Sequence, residues 1–130
     1  MQINDQNYVD KAESVIQKLK DKKNTQGRSI PVVTTSKLRN LLAMTADLYN
    51  EVVNQPEDGL NEDICSRIEY LRVRFLYEAG REPSVKHLIQ EADLLAVLKE
   101  INGSKQNYIL FSRYMEALVA FRKFYVEKDD

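Results

Sequence analysis

The stretch TTSKLRNLLAMTADLYNEVV, residues 34–53, has the apolar spacing of an amphipathic helix. Its apolar side chains recur every three or four residues, as on one face of a helix with 3.6 residues per turn. We predict that Thr35 or Ser36 caps this helix, because a hydroxyl there accepts a hydrogen bond from a free backbone N–H. The core-facing residues are Leu38, Leu41, Leu42, Thr45, Leu48, Tyr49, Val52 and Val53.

Two cations, Lys37 and Arg39, occupy the first turn of this helix. The helix dipole disfavours positive charge there by roughly 0.3–1 kcal/mol per residue. An anion bound to the free N–H groups would offset that cost. Two interpretations remain open: a helix end that binds phosphate, or two exposed cations whose cost in salt is small.

Four further segments have helical spacing, at about residues 5–19, 61–79, 83–102 and 104–127. We predict caps at Asp5, Asn61 and Ser104, with Pro83 in a first turn and Gly80 just after a helix end. The last segment is apolar nearly all round, which is typical of a helix buried in a bundle or covered by a partner. Short loops favour antiparallel neighbours, so we expect an all-α bundle of about five helices.

We predict one helical domain over residues 1–130. It comprises an N-terminal helix at about 5–20, a flexible basic linker at about 21–34 and a helical core at about 35–127. The acidic last four residues are expected to fray.

Composition limits the possible chemistry. Hydrophobic residues make up 43%, as in ordinary globular proteins. No apolar run approaches the roughly 18 residues of a membrane span, and the polar start lacks a signal-peptide core, so we expect a cytoplasmic protein without membrane contact. One cysteine, Cys65, and one histidine, His87, cannot form a disulfide framework or a structural zinc site. We expect no metal and no cofactor.

An enzyme is the weakest hypothesis. The best candidates for acid–base work are the carboxylate pairs Glu91 with Asp93 and Glu62 with Asp63. Neither pair is flanked by a base, a set of metal ligands or a phosphate-binding glycine loop. We therefore predict no catalytic residues.

The net charge of −1 hides a strong segregation of charge along the chain. Residues 18–39 contain seven basic side chains and one acid, whereas residues 47–63 contain six acids and no base. The acidic segment is either a solvated loop region or one half of a head-to-tail interface with the basic segment of a neighbouring copy.

Arginine and tyrosine alternate along RIEYLRVRFLYEAGR, residues 67–81. Arg67, Tyr70, Arg74, Tyr77 and Arg81 share a stripe about 21 Å long, roughly 120° from the core-facing residues Ile64, Ile68, Leu71, Phe75 and Ala79. Guanidinium groups bind phosphates bidentately, and tyrosine rings stack on bases of any identity. Contact with a polynucleotide is therefore one interpretation of the stripe. The alternative is a solvated face on which the arginines pair with Glu78 and Glu82 and the tyrosines are half-buried.

Three blocks, TTSKLRNLLAMTADLYNEV, RIEYLRVRFLYEAGR and FSRYMEALVAFRKF, together resemble the small subunit of the type III-A CRISPR effector, the Csm complex. The resemblance covers about residues 30–125. It implies a compact all-α protein without catalytic activity, stacked in several copies beside the backbone subunits that hold the guide RNA. Its basic face is expected to touch the backbone of the target RNA and the guide RNA.

The resemblance also implies which residues bind RNA: Lys37, Arg39, Arg67, Arg74, Arg81 and Lys86. Arg72 lies on a different side of its helix from Arg74, so we expect it to pair with Glu69 or to reach an adjacent subunit. The expected partners are RNA, the other Csm subunits and further copies in a head-to-tail array. The alternative function is a helical adaptor that joins protein subunits without RNA contact.

Overall fold

This computed structural model describes residues 1–126, which contain six α-helices joined by loops and no β-strand. The predicted all-α class is confirmed, with six helices in place of five. Residues 127–130, including the end predicted to fray, lie outside the described part. Within residues 1–126 no helix is long and apolar enough to cross a membrane. The helices are α1 (Tyr8–Asp21), α2 (Thr35–Val53), α3 (Glu62–Arg81), α4 (Pro83–Glu91), α5 (Leu94–Glu100) and α6 (Lys105–Tyr125).

The last helix, α6, packs against α1 and α2 and supplies much of the core. Phe111 lies between Phe75 of α3 and Tyr108, with ring centroids 6.2 Å apart in both pairs. Burial by the other helices of the same chain therefore accounts for most of its apolar residues, while Phe124 is 78% exposed. Its buried side chains are Tyr108, Leu110, Phe111, Ser112, Tyr114, Met115, Leu118 and Arg122.

Two buried tyrosines of α6 reach backbone carbonyls outside their own helix. The Tyr108 hydroxyl donates to the Thr45 carbonyl of α2, and the Tyr114 hydroxyl donates to the Ala92 carbonyl at 3.0 Å. A buried tyrosine needs such a partner. Burial is the main cause that raises the pKa of both hydroxyls above the ordinary tyrosine value.

The segment predicted as one helix at 83–102 is two helices, α4 and α5. The break is at Asp93, whose φ of 56° lies in the left-handed region. Aspartate tolerates this conformation better than most residues, and Gln2 donates a hydrogen bond to its carboxylate at 3.2 Å. No glycine or proline marks the break, so periodicity alone missed it.

Side-chain caps hold three helix starts. Asn61 accepts from the Ile64 N–H at 2.9 Å and Ser104 accepts from the Asn107 N–H at 3.1 Å, which confirms both predicted caps. The cap of α2 is Thr34, whose hydroxyl accepts from the Lys37 N–H at 3.1 Å. The predicted cap at Thr35 or Ser36 is therefore wrong by one or two residues.

Two other predicted boundaries move, while Pro83 does begin α4 as expected. The first helix begins at Tyr8, because the Asn4 side chain accepts from backbone N–H groups of a turn that precedes it, so the Asp5 cap is wrong. Gly80 lies inside α3, which continues to Arg81.

Contacts at both ends of the helices fix their directions. Lys37 at the start of α2 meets Glu82 after α3, and Arg67 near the start of α3 meets Glu51 near the end of α2. These two helices are therefore antiparallel. Helix α6 also opposes α2, because Arg122 near its end donates to the Val33 carbonyl at 2.7 Å, just before α2.

The linker between α1 and α2 folds into a small hairpin. The Asn24 N–H donates to the Arg28 carbonyl at 2.8 Å, and the Ile30 N–H donates to the Lys22 carbonyl at 3.0 Å. Gly27 turns the chain with a φ of 77°, a conformation that glycine adopts without strain. This segment is the predicted flexible linker, and its backbone is hydrogen-bonded at these two positions. Its flexibility stays a prediction.

We predict that unfolding becomes easier above about pH 10, where an unfolded tyrosine ionises. The folded state holds the protons of Tyr108 and Tyr114 more tightly, so rising pH favours the unfolded state. Tyr108→Phe and Tyr114→Phe should each cost about 1 kcal/mol at neutral pH through the lost hydrogen bond. Urea midpoints of both variants should then fall less than those of the parent between about pH 10 and 11. If the urea midpoint fell equally with pH for the parent and both variants, this account would be contradicted.

Candidate nucleic-acid interface

The predicted stripe of arginine and tyrosine lies on the exposed side of α3. The opposite side of the helix is buried, through Ile64, Ile68, Leu71 and Phe75, as predicted. Tyr70 and Tyr77 are exposed rather than half-buried against a neighbour.

A groove between α2 and α3 brings three members of the stripe together. Arg67, Tyr70 and Arg74 line its α3 wall. The wall on the α2 side includes Asp47, and Arg67 contacts Glu51 at 2.6 Å and Asp63 at 3.9 Å. These carboxylates reduce the positive potential at the Arg67 end. The remaining lining residues are Met44, Leu48 and Leu71.

Arg74 is exposed at the other end of this groove. Within residues 1–126 its guanidinium makes no ion pair and no hydrogen bond. The alternative pattern, in which Arg67 and Arg74 pair with Glu78 and Glu82, is not what the structure contains. Glu78 lies 3.5 Å from Arg81, and Glu82 binds Lys37. Arg74 therefore keeps its full capacity to bind an anion.

Arg81 ends the stripe in a different environment. Its guanidinium carbon lies 5.6 Å from the centre of the Tyr77 ring, a cation–π distance, and it contacts Glu78 at 3.5 Å. Both side chains stay exposed. Arg81 is thus held beside the tyrosine and remains accessible to solvent.

Lys37 owes its place at the start of α2 to a carboxylate from the α3–α4 junction. The Lys37 ammonium contacts Glu82 at 3.0 Å. The α3 C-terminus, whose dipole favours cations, ends one residue before Glu82. Both interactions favour Lys37 at this helix N-terminus.

Arg39 points to another side of α2. It follows Lys37 by two residues, or about 200° around the helix. Its position is in line with Leu42, Ala46 and Asn50, which border the groove between α2 and α6. Arg39 is exposed and has no ion pair in the part of the chain that the structure describes. The structure therefore does not bring Arg39 to the α3 stripe.

Lys86 lies on α4, beside the end of α3. It is exposed and borders a depression formed with Ala79, Gly80 and His87. None of the ion pairs of residues 1–126 includes it.

Arg72 faces away from the stripe and contacts Glu69 at 2.9 Å, which confirms one of the two partners expected for it.

Charge of opposite sign collects at the two ends of the bundle. The basic end contains the end of α1, the hairpin and the start of α2, with exposed cations at Lys20, Lys23 and Arg28. The acidic end contains the end of α2, the loop after it and the start of α3. In this loop the Leu60 N–H donates to the carbonyl of Gly103, just before α6, at 2.9 Å. The exposed acids of this end are Asp47, Glu51, Glu57, Asp58, Glu62 and Asp63.

Members of both candidate carboxylate pairs have contacts that suit a structural role. Glu62 and Asp63 lie in the first turn of α3, where the helix dipole favours negative charge. Asp93 accepts from Gln2 at the α4–α5 break. Over residues 1–126 no three His, Cys, Asp or Glu side chains are grouped closely enough to hold a metal ion.

Sequence reasoning missed two surface features. The first is the folded hairpin, whose signal was Asn24 and Gly27 within a basic segment. The second is an apolar patch on α3 that includes Val73 and Leu76, two large residues outside the core stripe. The sequence did contain a signal for this patch, because the spacing of Val73 and Leu76 places both away from the buried face of α3.

The fold and this surface define a small all-α protein with a line of arginine and tyrosine on one helix and opposite charge at its two ends. The family model described as Csm2 Type III-A matches residues 8–128, nearly the whole chain. The chain belongs to this family, which confirms the resemblance seen in three blocks of sequence.

Curated relatives called CRISPR system Cms protein Csm2 support the same assignment over nearly full length. The protein of Streptococcus thermophilus is 45% identical over 127 residues, 98% of both chains. A protein of Mycobacterium tuberculosis (strain CDC 1551 / Oshkosh) is 40% identical over 129 residues, 99% of both chains. The protein of Enterococcus italicus is 39% identical over 120 residues, 88% of this chain and 86% of its own.

We predict different stability effects for the two groove arginines. Arg67→Ala removes contacts to Glu51 and Asp63, so it should lower the free energy of unfolding by up to about 1 kcal/mol. Arg74→Ala removes no ion pair and no hydrogen bond in residues 1–126 and should change this free energy by less than about 0.5 kcal/mol. Urea denaturation of both variants checks this. A larger loss for Arg74→Ala than for Arg67→Ala would contradict the described pairing.

Proposed function

We propose that this protein is a non-catalytic small subunit of a type III-A CRISPR effector complex and that it contacts the backbone of target and guide RNA. The observation that carries the RNA contact is the groove in which Arg67, Tyr70 and Arg74 lie side by side, with Arg74 unpaired within residues 1–126. An arginine binds phosphate through two parallel hydrogen bonds, and a neighbouring tyrosine stacks on a base or ribose. Neither interaction depends on the base sequence.

Arg74 and Lys86 are the primary phosphate contacts in this proposal, because both are exposed and unpaired in the described chain. Lys37, Arg67 and Arg81 can also contact phosphate, but each must first break or share its ion pair with a carboxylate. Those ion pairs are partly exposed, and such pairs contribute about 0–1 kcal/mol each, so a phosphate competes with them. Arg39 contacts a different stretch of RNA or a neighbouring subunit, since it faces the α2–α6 side.

The charged ends support self-association in a head-to-tail array. The acidic end of one copy is complementary to the basic end of the next, and α2, about 28 Å long, runs from one end to the other. A contact between different surfaces repeats without closing into a dimer. Copies held in a row would bind RNA far more tightly than one copy, through high effective concentration.

We predict that the double variant Arg74→Ala/Lys86→Ala lowers RNA affinity and its dependence on salt. Each lost phosphate contact should reduce the slope of log affinity against log salt by about 0.7. Fluorescence anisotropy with a single-stranded RNA, between about 50 and 200 mM salt, measures both. The matched control is Lys99→Ala/Arg113→Ala, which removes two exposed positive charges elsewhere.

Equal RNA binding by these two double variants would remove the assignment of Arg74 and Lys86. Co-purification of other subunits with each variant distinguishes an RNA-binding subunit from an adaptor that contacts only proteins. An adaptor would keep its protein partners and show no RNA contact in the parent protein either.

We predict that charge reversal at one end lowers the number of copies in an assembled complex. Glu57→Lys/Asp58→Lys reverses two exposed acids, and Lys22→Glu/Lys23→Glu reverses two cations of the hairpin. Combining both reversals restores complementary ends, so the copy number should recover. Native mass spectrometry of the complex counts the copies. An unchanged count in both single-end variants would rule out pairing through these ends.

A further inference from the structure

The groove between α2 and α6 contains a buried hydroxyl that lacks a partner. Ser112 of α6 borders this groove and is 4% exposed. Its Oγ has no hydrogen-bond partner in residues 1–126, whereas the Thr45 hydroxyl of the α2 wall donates to the Leu41 carbonyl at 3.1 Å. An unpaired buried hydroxyl is unfavourable, so a polar group that entered the groove beside Ser112 would remove that cost.

Three further polar side chains surround the same groove. Tyr49 is half-buried, and Asn50 and Glu116 are exposed at its rim. The Glu116 carboxylate has no ion pair in the described part of the chain. The groove therefore brings an aromatic ring, an amide, a hydroxyl and an unpaired carboxylate beside the apolar side chains Leu42 and Ala46.

This set of groups suits the guanidinium of an arginine. Its planar fork donates two parallel hydrogen bonds to a carboxylate such as Glu116 and keeps other N–H groups for the Asn50 carbonyl and the Ser112 hydroxyl. A tyrosine ring attracts a cation to its face. The aliphatic stem of the arginine would lie against Leu42 and Ala46. The volume of about 370 Å³ lies near the lower end of ligand pockets, roughly 300–1,000 Å³, so the groove suits one long side chain.

RNA is a poorer occupant of this groove. The unpaired Glu116 carboxylate repels phosphate, and no arginine or lysine is among the described residues that line the groove. The groove lies on the flank of the bundle, since Ser112 and Glu116 are the eighth and twelfth of the 21 residues of α6. Contacts between the charged ends of successive copies would therefore leave it free for a different protein.

We propose that the α2–α6 groove binds an arginine side chain of a different subunit of the effector complex. The arginine pairs with Glu116 and stacks on Tyr49, and its remaining N–H groups reach Ser112. Arg39 lies on the same side of α2 and has no ion pair in residues 1–126, so it favours an acidic residue near that arginine in the partner. The source of the arginine, unlike the arginine site itself, rests on the proposed function.

Charge reversal at Glu116 tests the ion pair. Glu116→Arg should lower the apparent affinity for a complex assembled without this protein by at least about tenfold, as for an arginine that dominates an interface. Titration of labelled protein into that complex measures the affinity. The matched control is Asp10→Arg, which reverses an exposed acid of α1 that has no ion pair in the described chain. Equal affinities of the two variants would overturn the proposal.

A bulky side chain tests the groove. Ala46→Trp fills it, and Ala43→Trp adds the same ring at an exposed residue of α2 that does not line it. Only Ala46→Trp should weaken binding in the same titration. Equal effects of the two substitutions would count against the groove as the binding site.

Photo-crosslinking identifies the occupant. Benzoylphenylalanine in place of Asn50 should join this protein, in the assembled complex, to a peptide of another subunit that contains an arginine. Exchange of that arginine for glutamate should then restore the binding of Glu116→Arg. A cross-link to RNA, to a second copy of this chain or to a peptide without arginine would overturn the proposal, as would the lack of any cross-link.

RNA binding and assembly separate this inference from the proposed function. Glu116→Arg should not lower the RNA affinity, because Glu116 lies outside the α2–α3 groove. A lower RNA affinity would overturn the arginine site in favour of RNA contact. A parent protein that fails to join the complex would overturn the proposed function and the source of the arginine together. A parent and a Glu116→Arg variant that join equally well would overturn only the arginine site.

Discussion

Enclosing α6 is the constraint from which the arrangement of the other helices follows. The apolar side chains of α6 require partners, and α1 and α2 pack against this helix while Phe75 of α3 reaches Phe111. Because α2 opposes both α6 and α3, the start of α2 lies at the same end of the bundle as the ends of α3 and α6. The segregation of charge along the sequence thereby becomes a segregation of charge in space.

That arrangement also divides the basic side chains into two groups. Lys37 contacts Glu82 of the α3–α4 junction and Arg67 contacts Glu51 of α2, while Arg72 and Arg81 contact carboxylates of their own helix. Arg39, Arg74 and Lys86 have no such partner in residues 1–126. Within the paired group, the contacts of Lys37 and Arg67 contribute to the direction of α2 and α3, and the unpaired group supplies positive potential to solvent. A uniform line of free cations would have strained the isolated fold more through mutual repulsion.

The sequence predicted the helical faces well because those depend on local spacing. Ile64, Ile68, Leu71 and Phe75 are buried as expected, and Arg72 pairs with Glu69 one turn away. Ion-pair partners from distant parts of the chain could not be predicted from spacing. The pairs of Arg67 with Glu51 and of Lys37 with Glu82 depend on the tertiary arrangement.

The break at Asp93 was missed for a related reason. Its left-handed backbone is held by contacts from distant parts of the chain, including Gln2 and the hydroxyl of Tyr114 on Ala92. By contrast, the separation of Lys37 from Arg39 around α2 was available from their spacing alone, and the assumption of one phosphate site concealed it.

Arg122 has a consequence for the motions of the N-terminal region. Its side chain is 2% exposed, and its guanidinium donates to the Val33 carbonyl at 2.7 Å. Arginine cannot lose its charge at accessible pH, so separating residue 33 from α6 would leave a buried cation short of an acceptor. Local opening of this segment is therefore costly. The basic loop is thus anchored to the core at its exit by a permanently charged side chain and by the buried Val33.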